Sequence, residues 1–354
     1  IPSELEQQSV TKTLEYAFDD WAIAEMASRM GRGSDYRTYS ERAGAFREVF
    51  DPGTRFMRGK DARGQWVTPF DPLHASHMVN TDYTEGNAWQ HSWFVPHDPA
   101  ELIALMGGDQ AFVDKLDSLF TADTNVTGEN ASPDISGMIG QYAHGNEPSH
   151  HIAYLYSYAG RPFKTQATVR SILATQYDDT PFGLSGNEDC GQMTAWYVLS
   201  ALGIYPVNPA EGTYVIGSPL FPEATLSLGD GRRFTIRAEG VGAENRYVQS
   251  AVLNGRPLER SFLWHSEIAS GGELVLRMGP EPSEWATSRE ARPPSASDPW
   301  GIVPFQEGGA AAPVPVDLPP DSVMAQAVRS EFLHAWNAYL RYARGSDALR
   351  PLSR

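Results

Sequence analysis

Residues 145–151 (GNEPSHH) and 183–192 (GLSGNEDCGQ) are two short acidic blocks on which the interpretation of the whole chain depends. Each places carboxylates and carboxamides among Gly or Pro residues, which favour tight turns. Loops held on a rigid scaffold are where binding and catalytic groups collect. Together with nearby Trp-rich segments, the two blocks predict a polar pocket for a polyhydroxylated ligand.

Length and charge limit the classes of function. The chain has 354 residues, enough for one large domain or two, and a formal net charge of −16. Such acidity argues against nucleic acid or an acidic membrane surface as a partner, because both need basic surface. Cys190 is the single cysteine, so no internal disulfide is possible. No apolar run approaches the roughly 18 residues of a membrane span.

Two hydrophobic periodicities divide the chain. Up to residue 212 the spacing is helical, and helices are predicted at 9–31, 38–50, 99–106, 110–121, 149–159, 163–176 and 190–202. From 213 to 287, alternating segments between Gly-rich turns predict an antiparallel β region. Its strands are predicted at 214–216, 224–228, 233–237, 247–253 and 273–277. The sequence therefore predicts a mainly α chain followed by a small β region.

The C-terminal part has a different composition. Residues 288–320 are rich in Pro, Ala, Gly and Ser, which is typical of a linker. A helix is predicted beyond it, within 321–354, and its apolar face has nothing in this chain to pack against. We interpret 321–354 as the start of a second, truncated domain, and Ile1 as a position inside a longer protein.

The segment 83–98 (YTEGNAWQHSWFVPHD) surrounds one carboxyl group, that of Glu85, with aromatic residues. Apolar surroundings raise the pKa of a carboxyl group, as a general acid working near neutral pH requires. Trp faces also stack on sugar rings. The alternative is a helix start with core tryptophans, and the pattern alone favours that alternative.

The 145–151 block offers oxygen ligands. Asn146 and Glu147 suit a hard cation such as calcium, and His150 and His151 suit hydroxyl groups. Zinc fits less well, because adjacent His side chains on a helix point apart and no Cys lies nearby. The alternative is a helix N-terminus that begins at Pro148.

The 183–192 block places Glu188 and Asp189 just before a helix, where exposed amides lower the pKa of a carboxylate. An ionised carboxylate there acts as a general base or, alternatively, as a helix cap. Two carboxyl groups in different environments are what glycoside hydrolysis requires. The chain lacks the G-x-S-x-G, phosphate-loop and dinucleotide motifs of other enzyme classes.

At these residues the chain resembles glycoside hydrolase family 92, the calcium-dependent exo-acting α-mannosidases. The resemblance covers about residues 1–287, and its matching segments are 10–24, 50–60, 84–98, 145–160 and 183–219. The family combines an N-terminal β-sandwich with an (α/α)6 barrel. The resemblance thus implies that residues 1–212 form a partial (α/α)6 barrel, and that a β-sandwich domain of the same protein is missing.

The resemblance also implies a reaction, which is hydrolysis of terminal mannose from mannosides or N-glycans with inversion at the anomeric carbon. By position, Glu85 is similar to the general acid and Asp189 to the general base, with Glu188 beside it. Because Glu85 is present, uncapping of mannose-phosphate diesters, which needs no acid, is an alternative that the sequence disfavours. A mannose-binding or inactive module is the other alternative.

The resemblance further implies a calcium ion bound to the sugar hydroxyls. Asn146 and Glu147 are similar to calcium-site residues, with Gln141 as a further candidate. The residues that the resemblance places around the sugar are Trp89, His150 and His151. A periplasmic or secreted location is expected from the family.

Residues 331–353 (EFLHAWNAYLRYARGSDALRPLS) carry a second resemblance, to the opening helix of glycoside hydrolase family 47, the class I α-1,2-mannosidases. An unrelated amphipathic helix is the alternative. The resemblance implies two mannosidase modules joined by the 288–320 linker, and it favours α-1,2-mannosides as substrates.

Overall fold

A computed structural model describes residues 1–77, 79, 81–298, 326 and 330. The chain forms two compact units, Ile1–Ser28 with Arg32–Glu307, and Arg29–Gly31 with Gly308–Arg354. All elements that position the candidate site lie in the first unit. The second unit holds the last residues of the predicted linker and the predicted terminal helix. Apart from residues 326 and 330, which are helical, these predictions lie outside the described residues.

The described helices differ widely in length, and all but the last precede the β region. They are α1 (Ser9–Arg29), α2 (Gly33–Arg42), α3 (Phe46–Val49), α4 (Ala88–His91), α5 (Pro99–Leu105), α6 (Asp109–Thr121), α7 (Leu155–Tyr158), α8 (Pro162–Thr175), α9 (Gln192–Leu202) and α10 (His265–Ala269). Short 3-10 turns occupy Ala43–Ala45, Glu147–Ser149, Ile152–Tyr154, Gly229–Gly231 and Arg289–Ala291.

Strands occur along the whole described chain. They are β1 (Phe50–Asp51), β2 (Phe56–Met57), β3 (His74–Ser76), β4 (Thr127–Asn130), β5 (Met138–Ile139), β6 (Tyr142–Ala143), β7 (Ile204–Tyr205), β8 (Thr213–Ile216), β9 (Glu223–Ser227), β10 (Arg233–Glu239), β11 (Tyr247–Leu253), β12 (Arg256–Pro257), β13 (Phe262–Trp264) and β14 (Gly272–Gly279). The pairs β1–β2, β3–β4 and β5–β6 are two-stranded sheets within the part predicted to be helical.

The predicted mainly α fold class is wrong. Helices account for 37% and strands for 19% of the structure, so neither class dominates. The predicted helix at 149–159 is replaced by two 3-10 turns and α7, and that at 38–50 is divided among α2, a 3-10 turn and α3. The partial (α/α)6 barrel implied for residues 1–212 stays a prediction.

The β region is not wholly antiparallel as predicted: β8 pairs with β7 and β13 in a three-stranded antiparallel sheet, whereas the other five strands form a mixed sheet. Its strand order is β12-β11-β14-β10-β9, and β10 pairs with β14 in parallel, Ile236 opposite Leu274. A parallel pair needs a long crossover, and β11, β12, β13 and α10 lie between the two strands. Alternation along a strand predicts which face is buried but not the direction of the neighbouring strand, which explains the error.

The described chain has one hydrophobic core in its helical part and a second in its β region. The first packs α1, α5, α6, α8 and α9 around fully buried side chains such as Leu14, Trp93, Phe112 and Trp196. The second lies under the mixed sheet, around Phe234, Leu274 and Leu276. Periodicity was a sound guide for long elements. The apolar face of α1 is buried as predicted, and α9 ends at Gly203, whose φ of +90° closes the helix.

The described start of the predicted linker packs against the helical part. The Arg292 guanidinium donates to both carboxylate oxygens of Asp109, at 2.9 and 2.6 Å. Ser295 and Ser297 donate to Oδ1 of Asp98, at 2.9 and 2.6 Å. Of the described helices, none is long and apolar enough to cross a membrane.

Glu211, just before β8, is a buried carboxyl group that makes stability depend on pH. Burial is the main cause that raises its pKa to about 8, and the charges of Glu25 and Asp298 also raise it. A hydrogen bond from Thr213 Oγ1 acts in the opposite direction and lowers it. Between pH 4.5 and about 8 the folded protein keeps a proton that the unfolded chain releases. The free energy of unfolding therefore falls as pH rises through this window.

Glu211→Gln is expected to abolish the fall in unfolding free energy with rising pH, because the amide stays neutral at every pH in this window. Relative to the parent, the variant should gain about 2 kcal/mol or more of unfolding free energy at pH 8 compared with pH 5. Denaturant unfolding at both pH values measures the difference. Glu239→Gln, at an exposed strand end, serves as the control and should show no pH-dependent gain. Equal behaviour of the two variants would contradict the assignment.

Candidate active site

The two acidic blocks are in direct backbone contact. A Cβ atom on Gly186 would lie 2.5 Å from the carbonyl oxygen of Gly145, and Gly186 has a φ of +80°. A Cβ atom on Gly145 would lie 3.2 Å from Gly186 Cα and closer still to Ser136 Oγ. Only glycine allows this approach, so the two glycines bring together blocks that are far apart in sequence.

The loop that carries Glu85 is fixed to α1 by a buried histidine. His91 Nε2 lies 2.7 Å from the carbonyl oxygen of Thr84, and its Nδ1 lies 3.1 Å from Thr11 Oγ1. Because the carbonyl oxygen can only accept, Nε2 carries the proton, and in the neutral ring Nδ1 accepts from Thr11 Oγ1, which in turn accepts from the Thr84 amide. Burial lowers the pKa of His91 to about 4, which keeps the ring neutral. Gly86 is needed beside it, because a Cβ atom there would lie 2.7 Å from His91 Nε2.

Glu85 itself joins this loop to the first acidic block. Asn146 Nδ2 donates to the Glu85 carbonyl oxygen at 3.1 Å. Glu85 has a φ of +50°, a conformation that is uncommon for a residue with a side chain. Backbone strain of this kind concentrates at functional sites, because the surrounding contacts must maintain it.

Three predicted site residues form a carboxyl cluster. Burial raises the pKa of Glu147, and the neighbouring Asp189 carboxyl, through hydrogen bonding and charge, and the charge of Glu85 raise it further. Glu147 Oε1 is buried without a hydrogen-bond partner in the described structure. Neighbouring carboxylates repel one another unless a proton or a cation lies between them. The surroundings of Glu147 therefore favour a proton shared with Asp189.

Asp189 is presented by three consecutive residues in left-handed conformation. Asp189, Cys190 and Gly191 have φ values of +47°, +57° and +93°. The Asp189 carbonyl oxygen accepts from the Gln192 amide at 3.2 Å, which closes the turn into α9. This turn projects Asp189 towards Glu147 immediately before the helix starts.

Glu188 has a different environment from its neighbour. Its carboxylate accepts from the Thr194 amide at 3.0 Å and from Thr194 Oγ1 at 2.7 Å, in the first turn of α9. This is the capping role that the sequence left open, and it directs the Glu188 side chain to the helix. Of the two adjacent acids, Asp189 is the one in the carboxyl cluster.

The predicted histidine pair is buried and hydrogen-bonded to backbone. His150 Nε2 lies 3.0 Å from the carbonyl oxygen of His144, and His151 Nε2 lies 2.8 Å from that of Trp93. Burial lowers the pKa of both rings to about 4, so both are neutral.

A cavity of about 290 Å³ lies beside the cluster. Its polar lining includes Glu147, His150, His151 and Gln192, and Phe18, Phe94, Trp196, Leu199 and Tyr205 are among its apolar lining. The two histidines thus line a cavity next to the acidic cluster, although their Nε2 atoms face the protein backbone.

The other two predicted residues have structural contacts. The Trp89 ring packs edge to face on Phe56, with centroids 4.9 Å apart, and Lys115 Nζ lies 4.1 Å from its centre. The Gln141 amide is fully buried; its oxygen accepts from Asn87 Nδ2, and its nitrogen donates to the carbonyl oxygens of Asp123 and Asn125. The roles of Trp89 at the sugar and of Gln141 at calcium stay predictions.

Two further residues near the cluster were not singled out from the sequence. Glu15 on α1 is half-buried, and burial, then the charges of Asp19 and Glu85, raise its pKa. Gln192 donates to His150 Nδ1 at 3.0 Å. The acidic pair Glu15 and Asp19 at i, i+4 within an otherwise apolar helix face was the available signal for the first. No sequence pattern pointed to Gln192, because its partner His150 is remote in sequence.

Comparison with known proteins identifies the class as a glycosyl hydrolase catalytic domain. The family model described as the glycosyl hydrolase family 92 catalytic domain matches residues 1–280. The chain belongs to glycosyl hydrolase family 92. The resemblance seen in the sequence is thereby confirmed for this family.

Three relatives illustrate the similarity. An uncharacterised secreted glycosidase of Arthroderma benhamiae is 31% identical over 311 residues, 81% of this chain and 38% of the relative. The family GH92 α-mannosidase of Bacteroides thetaiotaomicron in complex with mannoimidazole is 39% identical, with a TM-score of 0.80 over 87% of this chain and 41% of that one. The family GH92 inverting mannosidase of B. thetaiotaomicron VPI-5482 is 38% identical, with a TM-score of 0.74 over 84% and 41%. The chain thus spans about two fifths of the length of these relatives.

Proposed function

We propose that this chain carries the catalytic carboxyl groups of an exo-acting α-mannosidase that releases terminal mannose with inversion. The observation that carries the proposal is the convergence of Glu147, Asp189 and Glu85, which come from three segments remote in sequence. Two solved relatives described as α-mannosidases, one of them inverting, support the same reaction.

In this proposal Glu85 is the general acid and Asp189 the general base. Glu85 gives a proton to the glycosidic oxygen as the bond to the anomeric carbon breaks, and Asp189 takes a proton from the attacking water. Inverting glycosidases hold the two carboxyl groups about 6.5–9.5 Å apart to leave room for that water. Proton NMR during hydrolysis of an α-mannoside should therefore detect β-mannose as the first product.

The residues of the first block fit a calcium ion. Glu147 Oε1 is buried without a hydrogen-bond partner among the described residues, and Asn146 uses only its amide nitrogen, on Glu85. No group of three His, Cys, Asp or Glu within the described chain is arranged to hold a metal by itself. Calcium takes six to eight oxygens, so Asn146, Glu147, water and sugar hydroxyls would share it. When bound, the ion would offset the negative charge of the cluster and orient the sugar.

Removing divalent cations is expected to lower hydrolysis of an α-mannoside at least about tenfold, because the carboxyl cluster then lacks a counter-charge. The rate in chelator, followed by titration with calcium, measures the effect. Calcium should also raise the melting temperature of the parent but not of Glu147→Gln. An undiminished rate in chelator would contradict the calcium assignment while leaving the two catalytic carboxyl groups untouched.

We further propose mannose-containing oligosaccharides or glycoprotein glycans as substrates, with preference for the α-1,2 linkage. The linkage rests only on the family 47 resemblance of residues 331–353. Comparing initial rates on α-1,2-, α-1,3- and α-1,6-mannobiose tests it. A periplasmic or secreted location is proposed from the family, and one relative is described as a secreted glycosidase.

A further inference from the structure

A hydrogen bond between the side chains of Gln192 and His150 joins the two acidic blocks, in addition to the Glu147–Asp189 contact. Gln192 Nε2 lies 3.0 Å from His150 Nδ1. Gln192 is three residues after Asp189, and His150 is three residues after Glu147. The bond therefore connects the positions that directly follow the two turns presenting the clustered carboxyl groups.

The direction of this bond is fixed by its surroundings. The Gln192 amide nitrogen can only donate, so His150 Nδ1 accepts and Nε2 carries the ring proton. Nε2–H then donates to the His144 carbonyl oxygen at 3.0 Å. His150 is buried, with 2% of the residue exposed. Its ring has one orientation that satisfies both partners.

The main chain of the first block is also attached to α9. Trp196 Nε1 donates to the His150 carbonyl oxygen at 2.9 Å. Tyr177, which lies 2.7 Å from His144 Nε2, donates to the Met193 carbonyl oxygen at 3.3 Å. These contacts and the Gln192–His150 bond attach the first block and the residue before it to α9, and that bond is the one among them that lies nearest to Asp189 in sequence.

We infer that Gln192 is a positioning residue that, through His150, sets the placement of Asp189 relative to Glu147. The inference rests on the proposed function. Gln192 lines the cavity beside the cluster together with His150, and its inferred role is to hold the turn at 189–191, whose residues have left-handed conformations that need external support. Misplacing a catalytic group by about 1 Å costs on the order of 10²-fold in rate.

Gln192→Leu in the full-length protein tests this inference, with Gln166→Leu as the matched control. Gln166 is a buried glutamine on the adjoining helix α8, and its oxygen accepts from the Val248 amide, away from both blocks. Gln192→Leu is expected to lower kcat on an α-mannoside about 10- to 100-fold with a smaller change in KM. Gln166→Leu should lower the melting temperature and leave kcat within about threefold.

Backbone amide exchange separates this inference from the proposed function. In Gln192→Leu, amides of 183–192 and 145–151 should exchange faster than in the parent, whereas Gln166→Leu should leave them unchanged. Faster exchange with unchanged kcat, or unchanged exchange, would overturn the positioning role. A parent without mannosidase activity would refute the proposed function, and exchange would still decide whether Gln192 holds the two turns.

Discussion

Replacing Asp189 with Asn is expected to lower kcat on α-mannosides by about 10²–10⁴-fold, the range that general acid–base catalysis supplies. The amide has nearly the same shape as the carboxylate but cannot take a proton from water. Asp189 has a φ of +47°, and Asn is among the few residues that accept this conformation readily. The turn should therefore persist, and the loss should reflect chemistry rather than folding.

Rates at saturating substrate, with the melting temperature of the same preparations, test this prediction. Asp178→Asn is the matched control, because Asp178 lies in the exposed loop before the block and accepts from the Thr180 amide at 2.8 Å. It should keep parental activity. An Asp189→Asn variant with full activity would exclude Asp189 as the base. A large loss of stability in that variant would instead assign the residue to the structure of the turn.

The sequence predicted the long helices and named the acidic residues of the cluster. It did not predict that these residues lie near one another. Helix α9 has nearly the predicted bounds because its apolar spacing and Gly203 are local signals. Asp189, Glu147 and Glu85 were named from motifs, and the structure brings them together. Their convergence could not be predicted from spacing, because it depends on the contact of Gly145 with Gly186, remote in sequence.

The polar side chains were the least predictable part of the site. Glu188 and Asp189 are adjacent and chemically alike, yet one caps α9 and the other enters the cluster. The choice is made by the left-handed turn at 189–191, which no local pattern specifies. The hydrogen bonds that both ends of the Gln141 amide make to Asn87 and Asp123 were likewise not predictable from the sequence. Side-chain roles of this kind depend on tertiary partners.

Glu85→Gln is expected to give a loss of activity that depends on the leaving group. Departure of a sugar alkoxide needs a proton, so kcat/KM on mannobiose should fall by about 10²–10⁴-fold. A 2,4-dinitrophenyl α-mannoside releases a stable phenolate without a proton, so its rate should fall less than about tenfold. Because the backbone bonds from Asn146 and around Thr84 do not involve the carboxyl group, the substitution should leave the loop in place.

The ratio of the two losses decides the role of Glu85 independently of protein stability, since a damaged loop would lower both rates alike. Glu129→Gln, on the exposed strand β4, is the control and should alter neither rate. Equal losses on both substrates would exclude Glu85 as the acid and assign it to binding or to the charge of the cluster. A selective loss would separate it from Asp189, whose replacement should affect both substrates, because water must be activated whatever group departs.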